Sequence, residues 1–297
     1  MPRIPPWIRL RMSAEGKFAN VHELVGDLGL HTVCKSAKCP NIHECWGRGT
    51  ATLMLLGSVC TRACTFCAIP TGRPRELDID EPRRVAAAAK RMNLRHVVLT
   101  SVCRDDLPDG GAGIFAETIR AIREVLPEST IEVLTPDFQG VEDSLRTVLE
   151  ARPDVFNHNI ETVSRLQSVI RPQASYGRSL SVLKFAAAWQ PALACHDGLG
   201  PSGGLAVKSG VMLGLGETDD EVVFALKDLH QAGCRFLTIG QYLQPSRKHC
   251  AVERFVSPGE FARFEGIARE IGFEGIASGP MVRSSYKADE LLELTRA

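Results

Sequence analysis

Three cysteines, Cys60, Cys64 and Cys67, fall within eight positions shortly after the apolar run "ATLMLLG". Three more, Cys34, Cys39 and Cys45, stand upstream in "CKSAKCPNIHEC", so six of the ten cysteines lie between residues 34 and 67. In a reducing compartment such clustering points to metal ligation or catalysis rather than disulfides. The first set reads CxxxCxxC. On a helix it would form one stripe of small apolar residues, but Pro70, Gly72 and Pro74 follow and favour a loop. Zinc wants a fourth ligand, and no Cys or His stands at finger-like spacing after Cys67. A [4Fe-4S] cubane takes one thiolate per iron, so three thiolates leave the fourth iron open to a small molecule. The second set, CxxxxCxxxxxC, has no common zinc spacing and would leave one thiol over in disulfides. It too suggests a cubane short of one ligand.

The elements that must position these thiols are legible from residue 51 onward. Short apolar runs at 51–57, 96–101, 130–136, 155–161, 206–214 and 236–243 read as strands. Helical periodicity fills 82–92, 111–126, 141–151, 176–189, 218–232 and 258–271. The alternation predicts an α/β fold, a partial (β/α)6 TIM-like barrel, with amino- and carboxy-terminal extensions folding over its open face. Three segments follow: residues 1–50 carrying the second cysteine set, a barrel over 51–275, and a tail over 276–297 with "RSSY". The Gly/Pro-rich stretch 191–210 reads as a loop running into the fifth strand. In barrels of this kind the carboxyl ends of the strands carry the active site, which is where the first cysteine set falls.

Composition narrows the partners. Thirty-five basic and thirty-five acidic residues leave a formal net charge of zero, so nothing global draws the chain to nucleic acid or an anionic membrane. No apolar run reaches the roughly 18 residues of a membrane span, and the start "MPRIPPWIRLRMS" lacks an apolar signal core. Its prolines also disfavour an amphipathic transit helix. A cytoplasmic location is expected.

CxxxCxxC with Phe66 before its last cysteine, after the first barrel strand, resembles the radical S-adenosylmethionine enzymes. "GVMLGLGE", Gly210 to Glu217, is similar to that family's GxIxGxxE strand, and an ordinary strand ending in a glycine turn explains it equally well. Together, the two cysteine sets and "RSSY" resemble the lipoyl synthases. So do "LHTVCKSAKCPNIHECW", "RDDLPDGGA", "PDVFNHNIETV" and "SGPMVRSSY", and the likeness runs through nearly the whole chain. The resemblance implies that Cys60, Cys64 and Cys67 hold a cluster whose open iron is chelated by S-adenosylmethionine, which is cleaved to methionine and a 5′-deoxyadenosyl radical. Cys34, Cys39, Cys45 and Ser285 would hold an auxiliary [4Fe-4S] cluster, a sacrificial sulfur source. The implied activity is that of a sulfurtransferase: insertion of two sulfur atoms at C6 and C8 of an octanoyl chain on a lysine. Its partners would be a lipoyl carrier domain (2-oxoacid dehydrogenase E2 or glycine cleavage H protein), an electron donor such as ferredoxin or flavodoxin, and an iron–sulfur carrier that restores the auxiliary cluster.

The resemblance implies further candidates near strand ends. Thr100, Ser101, Arg104 and Asp105, at and just past the end of the second strand run, are candidates for cofactor or substrate contacts, with a loop salt bridge between Arg104 and the aspartates as the alternative. Asn157 and Glu161 are candidates for ribose or amino-acid contacts, Arg171 for the cofactor carboxylate, Gly210 and Met212 for the adenine face, and His158 for a structural role. Arg283 is a candidate to orient Ser285. Cys103 beside the "RDD" loop, Lys287 after "RSSY" and the loop around Cys195 depart from the pattern; Cys103, Cys195, Cys234 and Cys250 read as free thiols. Competing readings are a biotin synthase, which would not need the amino-terminal set, and a tRNA methylthiotransferase, which would carry a basic RNA-binding module. A non-catalytic iron–sulfur carrier would ligate all its irons and need no barrel.

Overall fold

The structure, a computed structural model, describes residues 3–9, 15–48, 51–75, 77–189, 205–286 and 288–293. Cys195 and Lys287 lie outside them. The chain divides into two compact units, Leu10–Arg62 with Ala68–Asp154, and Met1–Arg9 with Ala63–Cys67 and Val155–Ala297.

The first unit contains α1 (Glu15–Asp27), β1 (His31–Thr32), α2 (Val33–Ser36), α3 (Ile42–Gly47), β2 (Thr52–Leu55), α4 (Glu81–Arg91), β3 (His96–Ser101), α5 (Ala112–Val125), β4 (Thr130–Leu134) and α6 (Glu142–Glu150). Its strands lie in chain order, β2, β3 and β4 parallel in the registers Thr52↔Val98 and Val98↔Glu132. All four residues of β2 are buried, as expected of a parallel strand covered on both faces. Helix α4 buries Val85, Ala86, Ala88 and Ala89, small side chains that let it sit close to its neighbours. Strand β1 is different: it pairs antiparallel with β2, His31 opposite Met54 and Thr32 opposite Leu53. That pairing brings the amino-terminal cysteine set alongside the strand that leads to Cys60.

The second unit contains β5 (Val155–Asn157), α7 (Gln167–Ile170), α8 (Tyr176–Ala188), β6 (Ala206–Leu213), α9 (Asp219–Gln231), β7 (Phe236–Gln241), α10 (Pro258–Ile271), β8 (Gly275–Gly279) and α11 (Ala288–Glu293). Its strands are parallel and again in chain order, with Val155↔Ala206, Ser209↔Leu237 and Leu237↔Ile276. Helices α9 and α10 start at capping boxes, Thr218 with Glu221 and Ser257 with Glu260, and α10 adds Pro258 in its first turn.

Side chains alternate across strands, so Phe236, Thr238 and Gly240 share one face of β7, and Ala206, Lys208, Gly210 and Met212 one face of β6. At the strand starts Val155, Ala206, Phe236 and Leu291 of α11 form an apolar cluster. Toward the strand ends the face carries glycines instead. A Cβ on Gly240 would lie 2.2 Å from the Val282 carbonyl oxygen, so the tail lies directly on this face. The tail expected from residue 276 begins inside β8, whose sequence "GIASG" has no apolar run to signal a strand.

Candidate active site

Past β2 the chain turns through Leu56 and Gly57, both at positive φ, and the Leu56 amide donates to Glu81 Oε2 at 2.7 Å. The following segment is a loop, as Pro70 and Gly72 predict. Cys60 N donates to Pro70 O at 2.9 Å, Gly72 N to Cys60 O at 3.0 Å, and Thr61 N to Cys103 O at 3.1 Å. The Cys60 sulfur accepts the backbone N–H of Arg62 at 3.4 Å and of Cys103 at 3.3 Å. Hydrogen bonding from the Cys103 thiol, those two amides and the Arg62 charge pull the Cys60 thiol well below the ordinary cysteine range, against the opposing effect of burial. Cys103 is pushed up correspondingly, by its bond to Cys60 and by burial. Cys103 is a free thiol in the covalent sense, but it touches a predicted ligand.

Arg62, only 4% exposed, fixes this loop. Its Nε and Nη2 reach Asp105 Oδ2 and Oδ1, both at 2.7 Å, and Nη2 also reaches Asp137 Oδ1 at 2.6 Å. Sequence reasoning missed this triad, although Arg62 lies between two cysteines and Asp105 in "RDD". Asp105 is thus engaged in positioning the loop. Arg104 forms the alternative loop salt bridge, Nε to Asp106 Oδ1 and Nη2 to Asp106 Oδ2, each at 2.8 Å.

Residues 63–67 are held within the second unit. Ala63 N donates to Gln173 Oε1 at 2.8 Å, Thr65 N to Ile170 O at 3.0 Å, and Cys250 N to Thr65 O at 3.0 Å. Cys67 N closes a turn onto Cys64 O at 3.1 Å, and His249 Nε2 lies 3.0 Å from Cys67 O. Phe66 packs against the cluster of Ile170, Leu215, Tyr242 and Val252, as does Met212. The aromatic side chain therefore anchors the loop on the end of β6.

The other candidates divide by what their polar atoms already do. Thr100 Oγ1 donates to Leu134 O at 2.9 Å across to β4, whereas Ser101 Oγ is buried without a hydrogen-bond partner. Asn157 is wholly buried at the end of β5. His158 Nε2 lies 3.0 Å from Ser179 Oγ. Arg171, 7% exposed, donates through Nη1 to the Asn159 and Ile160 carbonyls, both at 3.1 Å. Glu161 adopts φ +66°, a strained conformation for a side-chain-bearing residue, and bridges to Val211. Burial raises its carboxyl above the usual range, with the Arg171 charge and the Asn159 amide opposing. Gly210 faces Asn159 and Thr238: a Cβ there would lie 2.7 Å from Asn159 Oδ1 and 2.6 Å from Thr238 Oγ1. Glu217, last residue of the GxxE pattern, accepts from Gly214 N at 2.6 Å and Leu215 N at 2.9 Å, so it builds its own turn.

Cys34 and Cys45 sit on the short helices α2 and α3, and Cys39 on the link between them. Thr32 caps α2, accepting from Lys35 N at 3.3 Å, and Cys34 is buried beside the start of β2. Cys39 N donates to Cys34 O at 3.0 Å, and Cys45 N to Asn41 O at 2.9 Å in α3. Burial raises the Cys34 thiol, with the Thr52 backbone N–H and the Trp46 indole opposing. Cys45 is pushed up to about 12 by burial and by the negative charge that Cys34, Cys39 and Glu44 would carry. Negative charge on Cys39 raises the Cys34 thiol and that on Cys34 and Cys39 raises Cys45, so three thiolates here would need positive charge beside them, as an iron–sulfur cluster supplies. Among the described residues no three His, Cys, Asp or Glu side chains converge as for a single metal ion; a cubane spreads its thiolates over separate irons. In the tail, Ser285 stands half-buried in the turn before Tyr286, and Arg283 Nη1 donates to Val282 O at 2.6 Å. No helix among the described residues is long and apolar enough to cross a membrane.

A CxxxCxxC loop after the first parallel strand of an open βα sheet defines the class, and residues 54–229 match the Radical SAM superfamily. The fold is shared with the crystal structure of methylornithine synthase, at a TM-score of 0.54 and 13% identity over 97% of this chain and 77% of that one. A lipoyl synthase of Rubrobacter xylanophilus is 52% identical over 98% of this chain and 87% of its own. One from Caldanaerobacter subterraneus subsp. tengcongensis is 51% identical over 99% of both. The chain belongs to the lipoyl synthase family.

Proposed function

We propose that the chain inserts sulfur at C6 and C8 of an octanoyl group amide-linked to a lysine of a lipoyl carrier domain, with Cys60, Cys64 and Cys67 holding one [4Fe-4S] cluster and Cys34, Cys39, Cys45 and Ser285 the other. When bound, the first cluster supplies the electron that cleaves S-adenosylmethionine, and the second supplies the sulfur. The observation that carries this reading is the presence of two separate three-cysteine sets in a member of this family. Cys60 contributes a sulfur already favoured as an anion. Thr100, Ser101, Arg104, Asn157, Glu161 and Arg171 contribute polar contacts to the cofactor, and Gly210 and Met212 its adenine face. Ser285 contributes a harder, more weakly held oxygen ligand than a thiolate. The carrier is an E2 or H-protein lipoyl domain, the electrons come from ferredoxin or flavodoxin, an iron–sulfur carrier restores the second cluster, and the chain works in the cytoplasm.

The test is anaerobic reconstitution. Two cubanes give about eight irons and eight sulfides per chain. Reduced protein with S-adenosylmethionine should release 5′-deoxyadenosine, and an octanoyl-lysine peptide should gain two sulfur atoms in mass. A chain with about four irons, or one that consumes the cofactor without thiolating the peptide, overturns the reading.

A further inference from the structure

Two serines adjoin in the tail, and the structure distinguishes them. Ser284 Oγ accepts a hydrogen bond from Asn159 Nδ2 at 2.6 Å. The same amide nitrogen donates to Glu161 Oε1 at 3.2 Å. An amide NH2 has two hydrogens, and here each has its own partner. The Glu161 carboxyl oxygen and the Ser284 hydroxyl oxygen are both acceptors, which places the amide nitrogen between them.

The surroundings are built around this contact. Asn159 is 7% exposed, and its Oδ1 is buried without a hydrogen-bond partner. That oxygen lies over Gly210, where no Cβ fits. The tail is seated by a second close approach: Val282 O occupies the space a side chain on Gly240 would need. Val282 N donates to Gly279 O at 3.1 Å and Tyr286 N to Arg283 O at 2.9 Å, which folds residues 279–286 into consecutive turns. One glycine admits the tail backbone, and one buried amide grips its first serine.

We propose that Asn159 and Ser284 form a latch: Ser284 is a positioning residue that holds the tail so that its neighbour Ser285 is presented as a ligand, and Asn159 joins this latch to Glu161 in the cofactor pocket. The inference rests on the assignment of Ser285 and Glu161 under the proposed function. Since one amide serves both partners, binding of S-adenosylmethionine at Glu161 and retention of the Ser285-held iron are coupled.

The test uses the full chain in two states. In cluster-free protein, hydrogen exchange at the amides of residues 282–286 should accelerate about tenfold in Ser284→Ala and Asn159→Ala, the scale of one lost hydrogen bond. Ser284→Thr, which keeps the hydroxyl, should restore protection. In protein carrying both clusters, Ser284→Ala should release iron to a ferrous chelator about tenfold faster, in the direction of Ser285→Ala. S-adenosylmethionine should slow that release in the parent protein and not in Asn159→Ala. Unchanged exchange in both alanine variants overturns the latch. If exchange responds but Ser285→Ala releases iron no faster than the parent, the ligand assignment fails, and the presenting role fails with it.

Discussion

Cys60 and Cys45 are both half-buried thiols of the same compact unit, yet their surroundings act on negative charge in opposite directions. Around Cys60 the loop aims two peptide N–H groups at the sulfur and buries Arg62 nearby, so the thiolate is favoured before any metal arrives. Around Cys45 burial and two neighbouring sulfurs act together, and the thiolate is disfavoured until positive charge enters. Cys34 and Cys60 also lie at opposite ends of β2: Cys34 beside Thr52 where the strand begins, Cys60 on the loop that follows its end. A cluster that is kept through the reaction benefits from a site that favours anions. A cluster that is dismantled leaves sulfurs that take up protons readily once the iron has gone.

Separate alanine replacements break this comparison most sharply. Cys60→Ala should abolish release of 5′-deoxyadenosine, whereas Cys45→Ala should keep it and lose thiolation of the octanoyl peptide, as read by chromatography and mass spectrometry. Equal loss of both reactions in both variants would remove the division of labour. Next comes Ser285→Cys, which should slow iron loss from the second cluster while cutting thiolation turnover by at least about tenfold, the scale of one altered ligand contact. In cluster-free protein near neutral pH, iodoacetamide should label Cys60 well before Cys45, which needs pH approaching about 12. Cys103→Ala should reduce the lead of Cys60 by removing a hydrogen-bond donor, as peptide mapping would show. Gly210→Ala should lower stability by about 1–3 kcal/mol through overpacking against Asn159 and Thr238, measured by denaturant unfolding.

The smallest effect lies outside both sets. Arg165 and the Thr218 amide hold the Glu221 carboxyl at about 2, and the Ser257 amide and hydroxyl, with Arg254, hold Glu260 there too. A depressed carboxyl adds stability above its unfolded value, near 4.5, and loses it as pH falls toward 2. Glu221→Gln and Glu260→Gln should therefore narrow the difference in melting temperature between pH 6 and pH 2, the loss continuing down to the folded value of about 2.

The alternation of strand and helix was legible because each βα repeat carries a local pattern. The expected strand 96–101 is His96–Ser101, and the expected helix 258–271 is Pro258–Ile271 with its own capping box. Strand β8 was not legible, since "GIASG" forms a strand only because β7 offers a partner edge. Strand β1 escaped for a similar reason: two residues carry no periodicity, and their pairing with β2 is a tertiary contact. At the site, ligand types and spacing stood in the sequence, but their environments did not. Arg104 forms the salt bridge to Asp106, Glu217 turns back on its own loop, and Arg62, never singled out, braces Cys60.

By itself the sequence determined which sulfurs are candidate iron ligands, how many there are in each set, and the alternation of strand and helix that makes a βα sheet. Those are local properties, set by residue type and by spacing along the chain. Tertiary structure alone decided the charge preference of each sulfur, which of two adjacent serines is gripped by Asn159, and which glycines make room for the tail. Each of these depends on groups far apart in the chain meeting within a few ångströms, and no spacing along the sequence encodes that distance.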